Sequence, residues 1–207
     1  MSSIIMHIYI SKKIQEELNL SNKFLAGSVL PDMIKIKTMD RRGTHYIKEI
    51  EDSTKRLPDL ERFLDENKDK INDEVVLGYY AHLIEDKLWF DKYIDSFAKC
   101  IDEDSILYTS DNTIHSPEEF RKDMYSDYVS VDKYLIKQSN MDIDTIRLNI
   151  KKELGNYDVD DVVEENIIFP IVLDDARIIF ISQSCLEDYI DESVEVVKNE
   201  IKRIIGE

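Results

Sequence analysis

The run Glu74-Val75-Val76-Leu77-Gly78-Tyr79-Tyr80-Ala81-His82-Leu83-Ile84-Glu85-Asp86-Lys87-Leu88-Trp89 follows a capping pair, Asn72-Asp73. It is apolar around so much of a helical circumference that it belongs at the centre of a helical fold. Val76, Tyr79, Tyr80, Leu83, Leu88, Trp89, Tyr93, Ile94 and Phe97 recur at helical spacing, which predicts one helix from about Glu74 to Cys100. On its N-terminal side, Leu57 to Ile71 reads as an amphipathic helix with Leu60, Phe63 and Leu64 inward. Further out, Ile8, Ile10, Ile14 and Leu18 share a face of a first helix. Phe24, Leu25 and Val29 mark a second, short helix expected to stop at Leu30-Pro31, with Asp32 held in the turn beyond. Residues 32–55 are irregular, rich in Lys, Arg and Thr, and read mostly as loop, with a helical turn opening at His45-Tyr46.

On the C-terminal side, Ile106 to Ile114 suits a small hairpin or an irregular loop. Ser116-Pro117-Glu118-Glu119 combines a capping serine, a proline at the first helical position and the glutamate of a capping box, so a helix to about Gln138 follows. Asp142 to Leu154 is another helix, with Ile143, Ile146, Ile150 and Leu154 spaced by three or four. The β-branched runs Ile167 to Leu173 and Ile178 to Ile181 suit short strands, Pro170 weakening the first. Ser184-Cys185-Leu186-Glu187 reads as a second capping box before a helix carrying Ile190, Val194, Val197, Ile201 and Ile204. The expected fold is mainly α: one helical domain over residues 1–207, with at most a small β hairpin.

Composition bounds the function. Of 207 residues, 44 are Asp or Glu and 27 Lys or Arg, a net charge of −17, so neither nucleic acid nor an acidic membrane surface is an expected partner. With 43% apolar residues the chain can still bury a substantial core, so the acidity is not that of a disordered tail. The two cysteines, Cys100 and Cys185, form no metal or disulfide spacing, which points to a reduced, cytoplasmic setting. The apolar start has its lysines, Lys12 and Lys13, after the greasy run and not before it, so it does not read as a signal peptide. No apolar stretch approaches the roughly 20 residues of a membrane span.

Chemistry concentrates on four histidines. His82 and Asp86 lie four apart, so both project from one face of the central helix and can reach one ion. A surface His–Asp pair is the competing reading, although a helix crowded with Tyr, Trp, Leu and Ile argues for burial. Asp32, in Gly27-Ser28-Val29-Leu30-Pro31-Asp32, is a preorganised carboxylate or else a simple cap. His7 sits on the inward side of the first helix, and His45 follows Gly43-Thr44. His115 immediately precedes a helix cap. No His-Asp dipeptide occurs, which sets aside the helical phosphohydrolases that use one.

In order, His7, then Gly27-Ser28-x-x-Pro31-Asp32, then His45, then Tyr79-x-x-His82-x-x-x-Asp86 resembles the zinc-dependent bacterial phospholipase C family, whose helical fold is shared with single-strand-specific zinc nucleases. The resemblance covers about residues 7–90; the half after residue 100 diverges. It implies metal ligation by His7, Asp32, His45, His82 and Asp86, with Asp86 on the bridging carboxylate. Two departures reduce the expected metal count to one or two: six residues precede His7 where the family uses a processed amino terminus, and the downstream His-x-x-x-Glu cluster is missing. His115 and Asp91 are candidate substitutes.

Imidazole and carboxylate ligands without thiolate suit Zn²⁺, Mn²⁺ or Fe alike, and zinc is the ion the resemblance implies. The expected activity is hydrolysis of a small phosphoester by a metal-activated water, with Asp32 a ligand or the base that orients that water and Tyr79 or Tyr80 closing the pocket. The alternatives are a non-catalytic, metal-stabilised helical interaction or regulatory protein, and a helical scaffold whose histidines are unrelated.

Overall fold

The computed structural model describes residues 3–51, 55–168 and 178–206. Nine α-helices and two small antiparallel sheets make up these residues, a mainly α architecture. None of the described helices is long and apolar enough to cross a membrane.

Helix α1 (Ile4–Leu18) is capped by Ser3, whose hydroxyl accepts from the Met6 amide at 3.0 Å, and ends at Asn19 in the left-handed region. Helix α2 (Asn22–Thr38) starts at Ser21 and departs from expectation: it runs through Pro31 and ends eight residues beyond Leu30. Pro31 gives the Gly27 carbonyl no amide, but burial of every residue from Phe24 to Met33 holds the helix together across that gap. Asp32 therefore lies inside a helix and not in a turn. Residues 41–49, expected as loop, form α3 (Arg41–Thr44) and strand β1 (Ile47–Glu49). The helical turn precedes His45 and does not open at it, because Asp40 caps it by accepting from the Gly43 amide at 2.8 Å.

Strand β2 (Arg56–Pro58) pairs antiparallel with β1, Lys48 opposite Leu57. It takes the first residues of the helix expected from Leu57, which shortens to α4 (Leu60–Asn67) and a 3₁₀ turn at Lys68–Lys70. Phe63 of α4 is buried and Leu60 and Leu64 pack against the core.

Helix α5 (Glu74–Leu88), capped by Asp73, is central, but it is shorter than its periodicity predicts. Past Leu88 the same apolar spacing winds into a π turn (Trp89–Tyr93) and a 3₁₀ turn (Ile94–Ser96), then enters strand β3 (Ala98–Cys100). Helical periodicity survives a change of winding over so few residues, which is why the sequence does not reveal the break. Strands β4 (Ile106–Tyr108) and β5 (Ile114–His115) complete a β3-β4-β5 sheet, the expected hairpin with one strand added.

Helix α6 (Pro117–Ser139) carries the full capping box: the Glu119 amide donates to Ser116 Oγ and the Ser116 amide to Glu119 Oε2. Helix α7 (Ile143–Leu154) is capped by Asp142. A short helix α8 (Asp160–Asn166) adds to the expected elements, and residues 167 and 168 after it are not strand; the remainder of the strand expected there, 169–173, lies outside the described residues. Residues 178–181 are not a strand either. Asp127, buried on α6, takes the amides of Ile179, Phe180 and Ile181 at 2.6, 2.8 and 2.8 Å, so those donors are not available to a sheet. Helix α9 (Gln183–Ile205) is capped by Ser182, two residues before the expected Ser184.

Two glycines set the core geometry. A Cβ on Gly27 would stand 2.1 Å from the Val75 carbonyl oxygen, and one on Gly78 would stand 2.0 Å from that of Phe24. Helices α2 and α5 therefore touch backbone to backbone, which only glycine permits. A single apolar cluster then runs from α1 through α2 and α5 to α9.

Candidate metal centre

The close crossing of α2 and α5 places Asp32 of α2 beside His82 and Asp86 of α5, and α1 and the end of α3 bring in His7 and His45. All five side chains are buried, with exposures of 0–1%. His7, Asp32 and His82 offer ligand atoms all within 4.8 Å of one another, and so do His45, His82 and Asp86. These buried groups can hold a metal ion.

Each imidazole is oriented from its outer edge. His82 Nδ1 lies 2.7 Å from the Ser28 carbonyl oxygen, which only accepts, so this nitrogen carries the proton and Nε2 faces inward with its lone pair. Burial, reinforced by the charge on His7, pushes the His82 pKa down to about 3, which keeps the ring neutral. His45 Nδ1 lies 2.9 Å from Thr44 Oγ1, and that hydroxyl spends its own proton on the Asp40 carbonyl at 2.7 Å, so His45 Nδ1 is again the donor. His7 Nδ1 meets Glu85 Oε2 at 2.6 Å. Three Nδ1 atoms are thus engaged with outer partners while the Nε2 atoms face the buried aspartates, an orientation common among metal-ligating histidines.

The inward atoms are spaced as ligands are. His45 Nε2 lies 3.3 Å from His82 Nε2, 3.2 Å from Asp32 Oδ1 and 3.8 Å from Asp86 Oδ2. His7 Nε2 lies 3.5 Å from Asp86 Oδ1, and His82 Nε2 3.9 Å from Asp86 Oδ2. Nitrogen and oxygen ligands about 2.0–2.1 Å from a tetrahedral ion stand roughly 3.3–3.4 Å apart, close to the shorter of these separations. The buried Asp32 Oδ2 has no hydrogen-bond partner, a position that costs stability if nothing binds there.

Charge is strongly coupled in the cluster. Burial disfavours the charged forms of both Asp32 and Asp86, but hydrogen bonding to His45, with the nearby charge of Lys35, holds Asp32 well below the usual carboxylate range. Asp86 is held below that range too, and its hydrogen bond with His7 contributes. Burial also acts against the His7 imidazolium, yet Asp86 and Glu85 outweigh it and bring its pKa up to about 10. Burial pushes Glu85 up to about 7.

Two members were not singled out from sequence. Glu85 is fully buried behind His7, and Lys35, one turn after Asp32, places Nζ 2.7 Å from Asp32 Oδ1. Their only local signals are the i,i+3 spacings His82–Glu85 and Asp32–Lys35, which surface pairs also show.

Other expected residues lie elsewhere. His115 stacks on Tyr108 with ring centroids 3.8 Å apart and shares a 2.6 Å hydrogen bond with Thr113. Asp91, on the π turn, pairs with Lys55 at 3.2 Å. Neither is part of the cluster: Asp91 lies on the π turn beyond α5 and His115 on β5. Tyr79 donates its hydroxyl to the Thr44 carbonyl and so braces the residue before His45. Tyr80 does not close a pocket over the cluster: its ring stacks on Phe63 and its hydroxyl reaches Glu200 of α9 at 3.3 Å. Adjacent residues on a helix point about 100° apart, so only one of the two tyrosines can face α3.

No protein-family model, curated protein or solved structure matches this chain.

Proposed function

We propose that the protein is a metal-dependent hydrolase that acts on a small phosphoester through a metal-activated water, with zinc as the resident ion. The observation that carries this reading is the orientation of the three imidazoles, each anchored at Nδ1 and turned by Nε2 onto two buried aspartates. Two further features support it: the donor set lacks thiolate, whereas structural zinc sites are typically rich in cysteine, and Asp32 keeps one buried oxygen without a hydrogen bond. The likeness of the ligand order to zinc-dependent phospholipases C adds the reaction class.

His7, His45, His82, Asp32 and Asp86 would hold the ion. When bound, such an ion lowers the pKa of a coordinated water towards neutrality and polarises a phosphoryl oxygen. Asp32 is the residue suited to orient a water, through Oδ2, while Oδ1 stays tied to Lys35 and His45. Glu85 holds the His7 ring, Ser28 the His82 ring, and Thr44, braced by Tyr79, the His45 ring.

A second reading, a metal-stabilised interaction or regulatory protein, is favoured by one observation: every candidate ligand is buried. A filled site with no open position would be structural. Elemental analysis of the wild type beside a His82→Ala, Asp86→Ala variant, with a phosphodiester assay on both, separates the readings. The hydrolase reading requires about one or two metal ions per chain and turnover, both lost in the variant. Metal without turnover selects the structural reading, and absence of metal from the reconstituted wild type overturns both.

A further inference from the structure

An open cleft of about 1000 Å³ lies against the two segments that adjoin the metal centre. Arg41 and Arg42 of α3 form one wall, and the Arg41 carbonyl accepts the His45 amide at 3.0 Å. Phe90 and Ile94, on the turns that continue α5 beyond Asp86, form another. The cleft thus begins one short turn before His45 and one turn after Asp86.

Its charge reverses that of the chain. Among the described lining residues, the cations Arg41, Arg42, Lys55, Arg56 and Lys99 outnumber the acids by one, five against four, in a protein of net charge −17. Several are internally matched: Arg42 and Arg56 both approach Glu49, and Lys55 reaches Asp95 at 2.7 Å. Arg41 and Lys99 are different, because among the described residues no carboxylate forms an ion pair with either. The Arg41 guanidinium instead lies over the Phe90 ring, 5.2 Å from its centroid, which orders it without neutralising it. Guanidinium groups recognise phosphate through paired N–H donors, and apolar walls beside them suit an organic group. The π turn that presents Phe90 is a winding found frequently at functional sites.

We propose that this cleft recognises an organic phosphate, the phosphate held by Arg41 and Lys99 and the apolar moiety packed on Phe90 and Ile94, and that this ligand is the substrate of the metal centre. The substrate assignment rests on the hydrolase reading. The anion site itself rests on the cleft.

Phenyl phosphate and inorganic phosphate are the probes, titrated calorimetrically into the metal-loaded wild type and into an Arg41→Gln, Lys99→Gln variant. Both side chains are exposed, so the variant keeps its fold, and its metal content is measured alongside. Loss of two charge-assisted contacts is expected to weaken phenyl phosphate about tenfold or more with metal content unchanged, and inorganic phosphate should bind more weakly than phenyl phosphate. Equal affinity in wild type and variant, or no binding to the wild type, overturns the cleft. Equal affinity for the two probes overturns the apolar half of the recognition. Charge-dependent binding by a wild type that holds no metal upholds the anion site and overturns the hydrolase reading and its substrate assignment.

Discussion

Glu85 Oε2 stands 2.6 Å from His7 Nδ1, with both side chains wholly buried. The pair links α5 to α1 and fixes which nitrogen of His7 faces the cluster. Such outer carboxylates set ligand orientation, and their removal typically costs 10–100-fold in metal affinity. Glu85→Gln is expected to weaken metal binding by about that factor, measured by competition with a chromophoric chelator, while the helical circular dichroism is retained. Unaltered affinity would show that His7 is not oriented from behind.

The crossing of α2 and α5 makes a second prediction. Gly78→Ala forces a methyl group against the Phe24 carbonyl, where it would stand 2.0 Å from the oxygen, and a backbone atom cannot swing aside. The helices must part, which costs roughly 1–3 kcal/mol or more by overpacking and moves Asp32 away from His82. Lower melting temperature and loss of bound metal are expected together. A variant with wild-type stability and metal content would contradict the contact.

Asp127 predicts a stability effect remote from the metal. Asp127→Ala strands three amides, of Ile179, Phe180 and Ile181, the last of them buried, and an unmet buried donor costs about 1–3 kcal/mol. Urea unfolding should show a loss of roughly 1–3 kcal/mol, and Asp127→Asn, which retains one acceptor oxygen, a smaller loss.

Asp132 supplies a pH dependence. It accepts a hydrogen bond from Ser3, the cap of α1, and burial pushes its pKa up to about 7 from an ordinary 3.8. A carboxyl group raised on folding contributes its full stability below about pH 4, where it is neutral in both states. That contribution falls as the pH rises towards 7 and stays lost above it. Asp132→Asn should therefore melt several degrees above the wild type at pH 8 and match it at pH 4, since each kcal/mol is worth about 2–4 °C in a chain of this size. An identical difference at both pH values would rule out titration of this group.

The central helix, the capping box at Ser116 and the stripe of α9 were legible because capping and periodicity are settled within a few residues. The continuation of α2 through Pro31 was not, because proline is unfavourable locally and only burial of Phe24 to Met33 overrides it. The end of α5 at Leu88 was hidden for a related reason: the π turn buries Trp89 and Tyr93 as a continued helix would.

The candidate centre divides along the same line. His82 and Asp86 share a face by helix geometry alone, so their partnership is written in the chain. Residue order drew attention to His7, Asp32 and His45, but their convergence depends on an approach of α2 and α5 that two glycines, 51 positions apart, make possible together. Glu85, Lys35 and the Ser28 carbonyl acquire their places through contacts across helices, and the fold alone sends His115 and Asp91 elsewhere. The sequence by itself determined where the capped, periodic segments coil and which side chains share a helical face, because both follow from interactions within a turn or two. Which faces meet, and which nitrogen of each histidine points inward, was decided by packing between segments distant in the chain.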